Sequence, residues 1–304
     1  MDDVVALILN YNSYNLSMEA VDNLISIAKI KIVLVDNCST DDSYNILMKK
    51  YKDENQVKII RTDKNLGYAS GNNFGFKYIR KNISNAKYVM LMNPDIHIKN
   101  ESVINELRKI LDANLDYSVA SCQLIFNNKW RGYTDFGWRR PSKKHLFWAG
   151  TLLGRFLLKN VNYEYTECKI NKNILFVDVD VVPGCFFMAR ITDLDRVGYF
   201  DERTFLYFEE TILSKKLSLN GKKELILLNE FVFHNHHQKD MALIDYKKKF
   251  FDRECFHNSK MVYVNNYSDL SNIQLKFCNW VNNMDFKVKK ILYSFLICCT
   301  KRGN

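Results

Sequence analysis

The sequence predicts an α/β fold: a central, mostly parallel sheet flanked by helices, with a helical C-terminal extension. Three observations carry this. Short, β-branched apolar runs recur at 4–9, 32–35, 57–60 and 88–92. Segments with helical spacing separate them, and alternation of this kind means parallel strands joined by right-handed crossovers. Three of the runs stop abruptly at polar residues, so their carboxyl ends gather along one edge of the sheet, where open α/β sheets bind ligands.

Each element can be justified in turn. The first run, Val4 to Leu9, ends at Asn10-Tyr11-Asn12 and is followed by a helix over 16–28. The second ends at Asp36-Asn37. Ser39-Thr40-Asp41-Asp42 then reads as a capping-box-like start, after which Tyr44, Leu47, Met48 and Tyr51 share one helical face. The third run, Val57 to Ile60, precedes Asn65-Leu66-Gly67-Tyr68-Ala69-Ser70-Gly71-Asn72-Asn73-Phe74-Gly75. That segment is neither a P-loop nor a dinucleotide fingerprint, but a helix start rich in small residues and amides can approach phosphates through its free N–H groups. Phe74, Tyr78 and Ile79 mark the helix itself.

The fourth run, Tyr88 to Met92, stops at Asn93-Pro94-Asp95. Pro94 lacks a backbone donor, so a central ladder ends there. Asn93 and Asp95 are two apart and face the same side of an extended chain. An amide and a carboxylate so placed suit a hard divalent cation that also carries phosphate oxygens. Asn, Asp and Ser are turn formers, which accounts for any one polar strand end. Three together, with Tyr11 to stack on a base and Asp36 to accept from an imide N–H, match a nucleotide better.

Composition bounds the rest. The 304 residues are 47% apolar, with 11 glycines and 3 prolines, and show no linker or repeat. This favours one continuous domain over 1–238 with a helical extension over 239–304. The net charge of +10 permits nucleic acid, anionic lipid or phosphate-bearing substrates. Eight cysteines without C-x-x-C spacing argue against a zinc site or a disulfide framework. No basic n-region precedes the first strand, so a cytoplasmic, reducing setting is expected.

In the second half, Glu209 and Glu210 precede a short helix carrying Ile212, Leu213, Lys216 and Leu217, with Asn220-Gly221 as its stop. Acids at a helix N-terminus are stabilised by the macrodipole whatever their function. His234 ends the strand Glu230 to Phe233.

With these pieces in order, the chain resembles a family-two glycosyltransferase of the GT-A fold, close to the bacterial branch that includes rhamnosyltransferases. Leu9 to Asn12, Val35 to Asp41, Asn65 to Asn73, Met92 to Asp95, Pro183-Gly184-Cys185, Val197 to Glu202, Phe205 to Glu210 and Val232-Phe233-His234 carry the resemblance. It implies an inverting enzyme that moves a sugar from dTDP-rhamnose or a UDP-sugar to a growing cell-surface polysaccharide or lipid-linked oligosaccharide. Asn10, Tyr11, Asn12, Asp36, Asn37, Asn65, Gly67, Asn72 and Asn93 are then the donor-nucleotide residues. Asp95, Asn93 and His234 would hold Mn2+ or Mg2+. Glu210, with Glu209 beside it, is the catalytic base, and Gly184, Cys185 and Trp148 belong to the donor-sugar and acceptor pocket. Asn93, Glu210 and Ile212 depart from the strict family pattern, so a non-catalytic subunit that binds sugar nucleotides is the alternative.

Trp130, Arg131, Trp138, Arg139, Arg140, Trp148 and Arg155 make 130–172 basic and aromatic. The segment reads as an acceptor-side lid, a surface for acidic lipid or a loop over the core; nucleic acid is not the expected partner. The apolar run 291–299 is too short to span a bilayer, which takes about 20 residues. With basic residues on both sides, 284–302 reads either as an interfacial anchor on the membrane's inner face or as a helix docked on the core.

Overall fold

A computed structural model describes residues 2–126, 137–157, 175–235 and 245–302. The N-terminal half alternates as the sequence predicts: β1 (Val4–Asn10), α1 (Tyr14–Ile27), β2 (Lys31–Asp36), α2 (Ser43–Lys50), β3 (Val57–Arg61), α3 (Gly67–Asn82) and β4 (Tyr88–Met92). The second half continues through β5 (Ile96–Ile98), α4 (Ser102–Ala113), β6 (Tyr117–Phe126), α5 (Lys143–Trp148), α6 (Gly154–Leu157), β7 (Phe176–Val179), β8 (Phe186–Arg190), α7 (Ile191–Val197), α8 (Glu209–Leu219) and β9 (Lys223–His234). Helices α9 (Tyr246–Tyr267) and α10 (Asn272–Arg302) follow.

Among the described residues nine strands form one sheet in the order β3-β2-β1-β4-β8-β6-β9-β5, with β7 added against β9. Its first half is parallel, β1 lying between β2 and β4. Beyond β4 the pattern changes: β8 runs antiparallel to both β4 and β6, while β6 and β9 are parallel. The mostly parallel expectation therefore describes the N-terminal half, and the sheet as a whole is mixed. Side chains alternate across β1. Val4, Ala6 and Ile8 pack with α1 and α4 on one face, whereas Val5 and Leu7 pack with α3, α7 and α8 on the other. Both faces are covered, which is why these strands read as continuous apolar runs.

A third apolar cluster joins Leu146, Phe208, Ile212, Tyr263, Val264 and Cys278, fastening α5 and the C-terminal helices to the start of α8. Ile212 is fully buried there, which explains an apolar residue where the family pattern has an acid. The boundary placed at 238 lies outside the described residues.

The capping box expected at Ser39–Asp42 does not form. Asp42 is the N-cap of α2 but makes no side-chain cap bond. Ser39 Oγ instead accepts from Asn10 Nδ2 at 3.1 Å and from the Asn12 backbone N–H at 3.0 Å. Tertiary bonds between neighbouring strand ends outcompete the local cap.

Candidate active site

The polar strand ends form a hydrogen-bonded lattice. Asn10 is buried, and its Oδ1 accepts from Ser17 Oγ at 2.8 Å. Asn12, at φ 52°, accepts from the Thr40 backbone N–H at 2.8 Å. Asp36 is buried, accepts from the Ser39 N–H at 3.1 Å and lies 3.8 Å from the Arg61 guanidinium. Asn37 donates to Asn65 Oδ1 at 3.0 Å and to the Gly67 carbonyl at 3.1 Å, and accepts from the Leu66 N–H at 3.1 Å. Asn72 donates to the Tyr68 carbonyl at 2.9 Å, while its buried Oδ1 has no partner among the described residues. Tyr11 stays 40% exposed beside this lattice, as a large ring at the open edge of the sheet.

Gly67 fixes how the lattice meets the catalytic side. Its φ is +75°, and a Cβ there would stand 2.4 Å from the Phe205 carbonyl oxygen. The next residue donates its N–H to that same oxygen at 2.7 Å. Gly67→Ala combines backbone strain with a backbone clash, and is expected to cost at least about 1–3 kcal/mol. Thermal unfolding of the variant checks this.

The end of β4 is pinned to the loop before β8, because the Asn93 N–H donates to the Cys185 carbonyl at 2.8 Å. Tyr68 locks the junction: its hydroxyl is 2.9 Å from Asn93 Oδ1 and 2.7 Å from the Gly184 carbonyl oxygen. Burial and the charges of Glu209, Cys185, Glu210 and Asp95 hold the Tyr68 hydroxyl protonated well above its ordinary range. Asp95 Oδ2 lies 3.1 Å from His234 Nε2. Their meeting follows from sheet register, since Ile96 on β5 pairs with His234 on β9. His236 and His237 lie outside the described residues.

Among the described residues, no group of three or more His, Cys, Asp and Glu side chains could close a metal site alone. A carboxylate, an imidazole and the neighbouring Asn93 amide do fit a cation that takes its remaining oxygens from a diphosphate.

Two acids stand at the start of α8. Tyr207 and Phe208 before them both have positive φ, 73° and 65°. Such strain in bulky residues survives only where surrounding packing imposes it, and it clusters at functional sites. Phe208 is held by edge and tilted contacts to Phe256 and Tyr263. Glu209 is buried, and its Oε2 has no hydrogen-bond partner among the described residues. Desolvation first and Glu210 second raise the Glu209 carboxyl well above its ordinary range. Desolvation also pushes Glu210 up to about 7.

Glu210 occupies a junction. It lines a cavity of about 370 Å³ together with Asn93, Gly184, Cys185, Glu209 and His234. It also lines a second, more apolar cavity of about 430 Å³ with Tyr207, Phe208, Phe256 and Lys260. Trp138 borders both cavities, its backbone bridged to Val181 and its indole N–H directed at Thr211 Oγ1, 3.4 Å away. Gly184 faces the acid: a Cβ there would make an ordinary contact of 3.6 Å with the Glu210 carboxyl. The first cavity thus gathers Asn93, Gly184, Cys185, Glu209, Glu210 and His234 of the residues singled out in sequence. Trp148 lines neither cavity. Trp138, Tyr68 and Tyr207 take part without having been assigned roles, although Tyr68 and Tyr207 sit inside the motifs quoted above. Trp130 and Arg131 lie outside the described residues.

A third buried acid lies nearby. Glu224 accepts from the Val182 N–H at 2.8 Å, and desolvation raises it to about 8. Folded, Glu210 and Glu224 keep protons that the unfolded chain releases near the ordinary value of 4.5. The native state therefore binds more protons across roughly pH 4.5–8, and its stability falls as pH rises through that window. Glu224→Gln keeps an acceptor for Val182 and removes the charge. It should match the wild type near pH 4.5 and exceed it on the order of a few kcal/mol at pH 8, measured by denaturant unfolding at both pH values.

Residues 6–198 match the family model of glycosyl transferase family 2. The chain is 26% identical over 202 residues to rhamnosyltransferase WbbL of Escherichia coli K12, an alignment covering 62% of this chain and 72% of that protein. It is 27% identical over 212 residues to the low-salt glycan biosynthesis hexosyltransferase Agl10 of Haloferax volcanii, covering 69% of this chain but only 60% of that one. In fold it resembles the mannosyltransferase PcManGT from Pyrobaculum calidifontis in complex with GDP-Man and Mn2+. That match has a TM-score of 0.56 at 11% identity, over 99% of this chain and 76% of the other. The mixed sheet with flanking helices is a GT-A fold.

Proposed function

This chain belongs to glycosyl transferase family 2 and is a glycosyltransferase; we propose that it acts by inversion, with a divalent metal, on a nucleotide-sugar donor and a polysaccharide or lipid-linked oligosaccharide acceptor. The observation that carries this reading is the convergence of Asn93, His234, Glu209 and Glu210 on one cavity, with Asp95 held against His234. Tyr11 and Asp36 hold the donor's base and ribose. The smaller cavity takes the diphosphate and sugar. The second, with Trp138, Tyr207, Phe208 and Phe256 on its walls, receives the acceptor, since aromatic rings suit the apolar faces of a sugar or a lipid.

Glu210 stands where the two cavities meet and removes the proton of the acceptor hydroxyl as that oxygen attacks the anomeric carbon. The diphosphate departs from the opposite face, so the configuration inverts. Asp95, His234 and Asn93 would hold the cation, which supplies Lewis-acid stabilisation of the leaving diphosphate's charge. Buried Glu209 positions the start of α8. The donor in this reading is a UDP- or dTDP-linked sugar such as dTDP-rhamnose, and the likeness to a rhamnosyltransferase and a hexosyltransferase supports a hexose or deoxyhexose as the transferred group.

A thermal-shift panel of nucleotide-sugars, with manganese or chelator, tests the reading, because a ligand that binds only the folded state raises its stability. Stabilisation by a UDP- or dTDP-sugar that depends on the ion supports it. No response to any nucleotide-sugar refutes it. Slow donor hydrolysis without acceptor separates an enzyme from a non-catalytic binding subunit. Such an enzyme would work in the cytoplasm, on the inner face of the membrane that holds its acceptor.

A further inference from the structure

We propose that the outer face of α10 docks on an anionic lipid bilayer, laying the helix in the plane of the headgroups. The inner face of this helix is committed to the protein. Cys278, Val281 and Asn282 are buried, and Asn282 Nδ2 donates to the Leu146 carbonyl at 3.1 Å. The outer face carries large apolar side chains in the open. Ile273 is 82% exposed, Trp280 60%, Ile291 71% and Phe295 68%, with Phe277 and Met284 about half exposed between them. Val288 completes the series. Successive members are three or four residues apart, so all fall within roughly an 80° band along about 33 Å of helix.

Charge identifies the occupant. Exposed Lys276, Lys287 and Lys290 line one flank of the apolar band. The sole acid in the α10 sequence is Asp285, which sits on the inner side and is already paired with Lys289 at 2.5 Å. An apolar stripe with lysines along one flank and no exposed acid of its own helix matches an anionic bilayer surface. A second copy of the same face would offer those lysines no carboxylate. Among the described residues no helix is long and apolar enough to cross a membrane, so α10 lies on the bilayer. The docking face begins at Ile273, well before the 284–302 span expected from sequence, because Phe277 and Trp280 belong to it.

Docking by this face does not depend on the transfer reaction, and the test keeps the two apart. The full chain is sedimented with vesicles of phosphatidylcholine alone and of phosphatidylcholine with phosphatidylglycerol. Binding to the anionic vesicles is expected, and Lys276→Ser, Lys287→Ser and Lys290→Ser together should weaken it about 100-fold, at about fivefold per lysine. Trp280→Ser with Phe295→Ser should abolish it. Thermal unfolding and donor hydrolysis should be unchanged in both variants, since none of these residues borders either cavity. Binding that ignores lipid charge or survives both variants would overturn the assignment. So would a dimer in sedimentation velocity that Trp280→Ser with Phe295→Ser dissociates, because the face would then belong to a second copy.

Discussion

Glu210→Gln is expected to lower turnover by about 10²–10⁴ while leaving donor affinity nearly intact. A sugar hydroxyl is a poor nucleophile at neutral pH, and the carboxylate removes its proton as the new bond forms. Glutamine keeps the size and the fit against Gly184 but cannot take the proton. Because desolvation raises Glu210 to about 7, the wild-type base is ionised only as pH rises through that value. Turnover should therefore climb with pH across neutrality, and the residual activity of the glutamine variant should lose that rise. Glu209→Gln removes a buried carboxyl that lines only the first cavity, so it should affect turnover less and stability more. Measuring kcat and donor affinity for both variants decides the matter. If Glu209→Gln abolished transfer and Glu210→Gln did not, the two roles would exchange. Unaffected transfer in both would place the base elsewhere.

The N-terminal half was legible because its signals are local. Apolar runs buried on both faces, interrupted by helical spacing, identify β1 to β4 without any knowledge of neighbours, and their polar ends reveal the ligand-binding edge. The second half depends on long-range pairing. The long strand β9 reads as two short apolar runs, Leu225 to Leu228 and Phe231 to Phe233, split by Asn229-Glu230, and only the second is recognised as a strand from sequence. Its register with β6 skips between Leu227 and Phe231, and that irregularity blurs any period in the sequence. The contact between Asp95 and His234 spans 139 positions and exists because short β5 pairs with the end of β9.

The amides Asn10, Asn12 and Asn37 are legible as polar strand ends, but their bonds to Ser17, Thr40, Asn65 and the Leu66 N–H are tertiary and leave no mark in the sequence. Those bonds fix the loop geometry beside Tyr11. Trp138 carried no signal that separated it from Trp148: both sit in a basic, aromatic stretch. The bridge to Val181 is what brings Trp138 over the start of α8.

Asp95→Ala should remove the dependence of UDP or dTDP binding on a divalent ion and abolish most transfer. The strand end offers a carboxylate, an imidazole and an amide, too few to retain a cation by themselves but suited to one shared with a diphosphate. Affinity for the nucleotide and for the ion should therefore rise together in the wild type. Removing Asp95 takes away the only anionic member of the set. Lewis-acid stabilisation of a leaving diphosphate is worth several kcal/mol, so transfer should fall by about 10² or more. His234→Ala should act in the same direction but less strongly, because a neutral imidazole contributes no charge to the cation. Isothermal titration of UDP and dTDP, with manganese and with chelator, measures this directly. Equal nucleotide affinity under both conditions in the wild type would count decisively against a metal at Asp95. The Asp95–His234 pair would then serve to hold β5 to β9, and Asp95→Ala would lower the unfolding temperature without altering the ion dependence of binding.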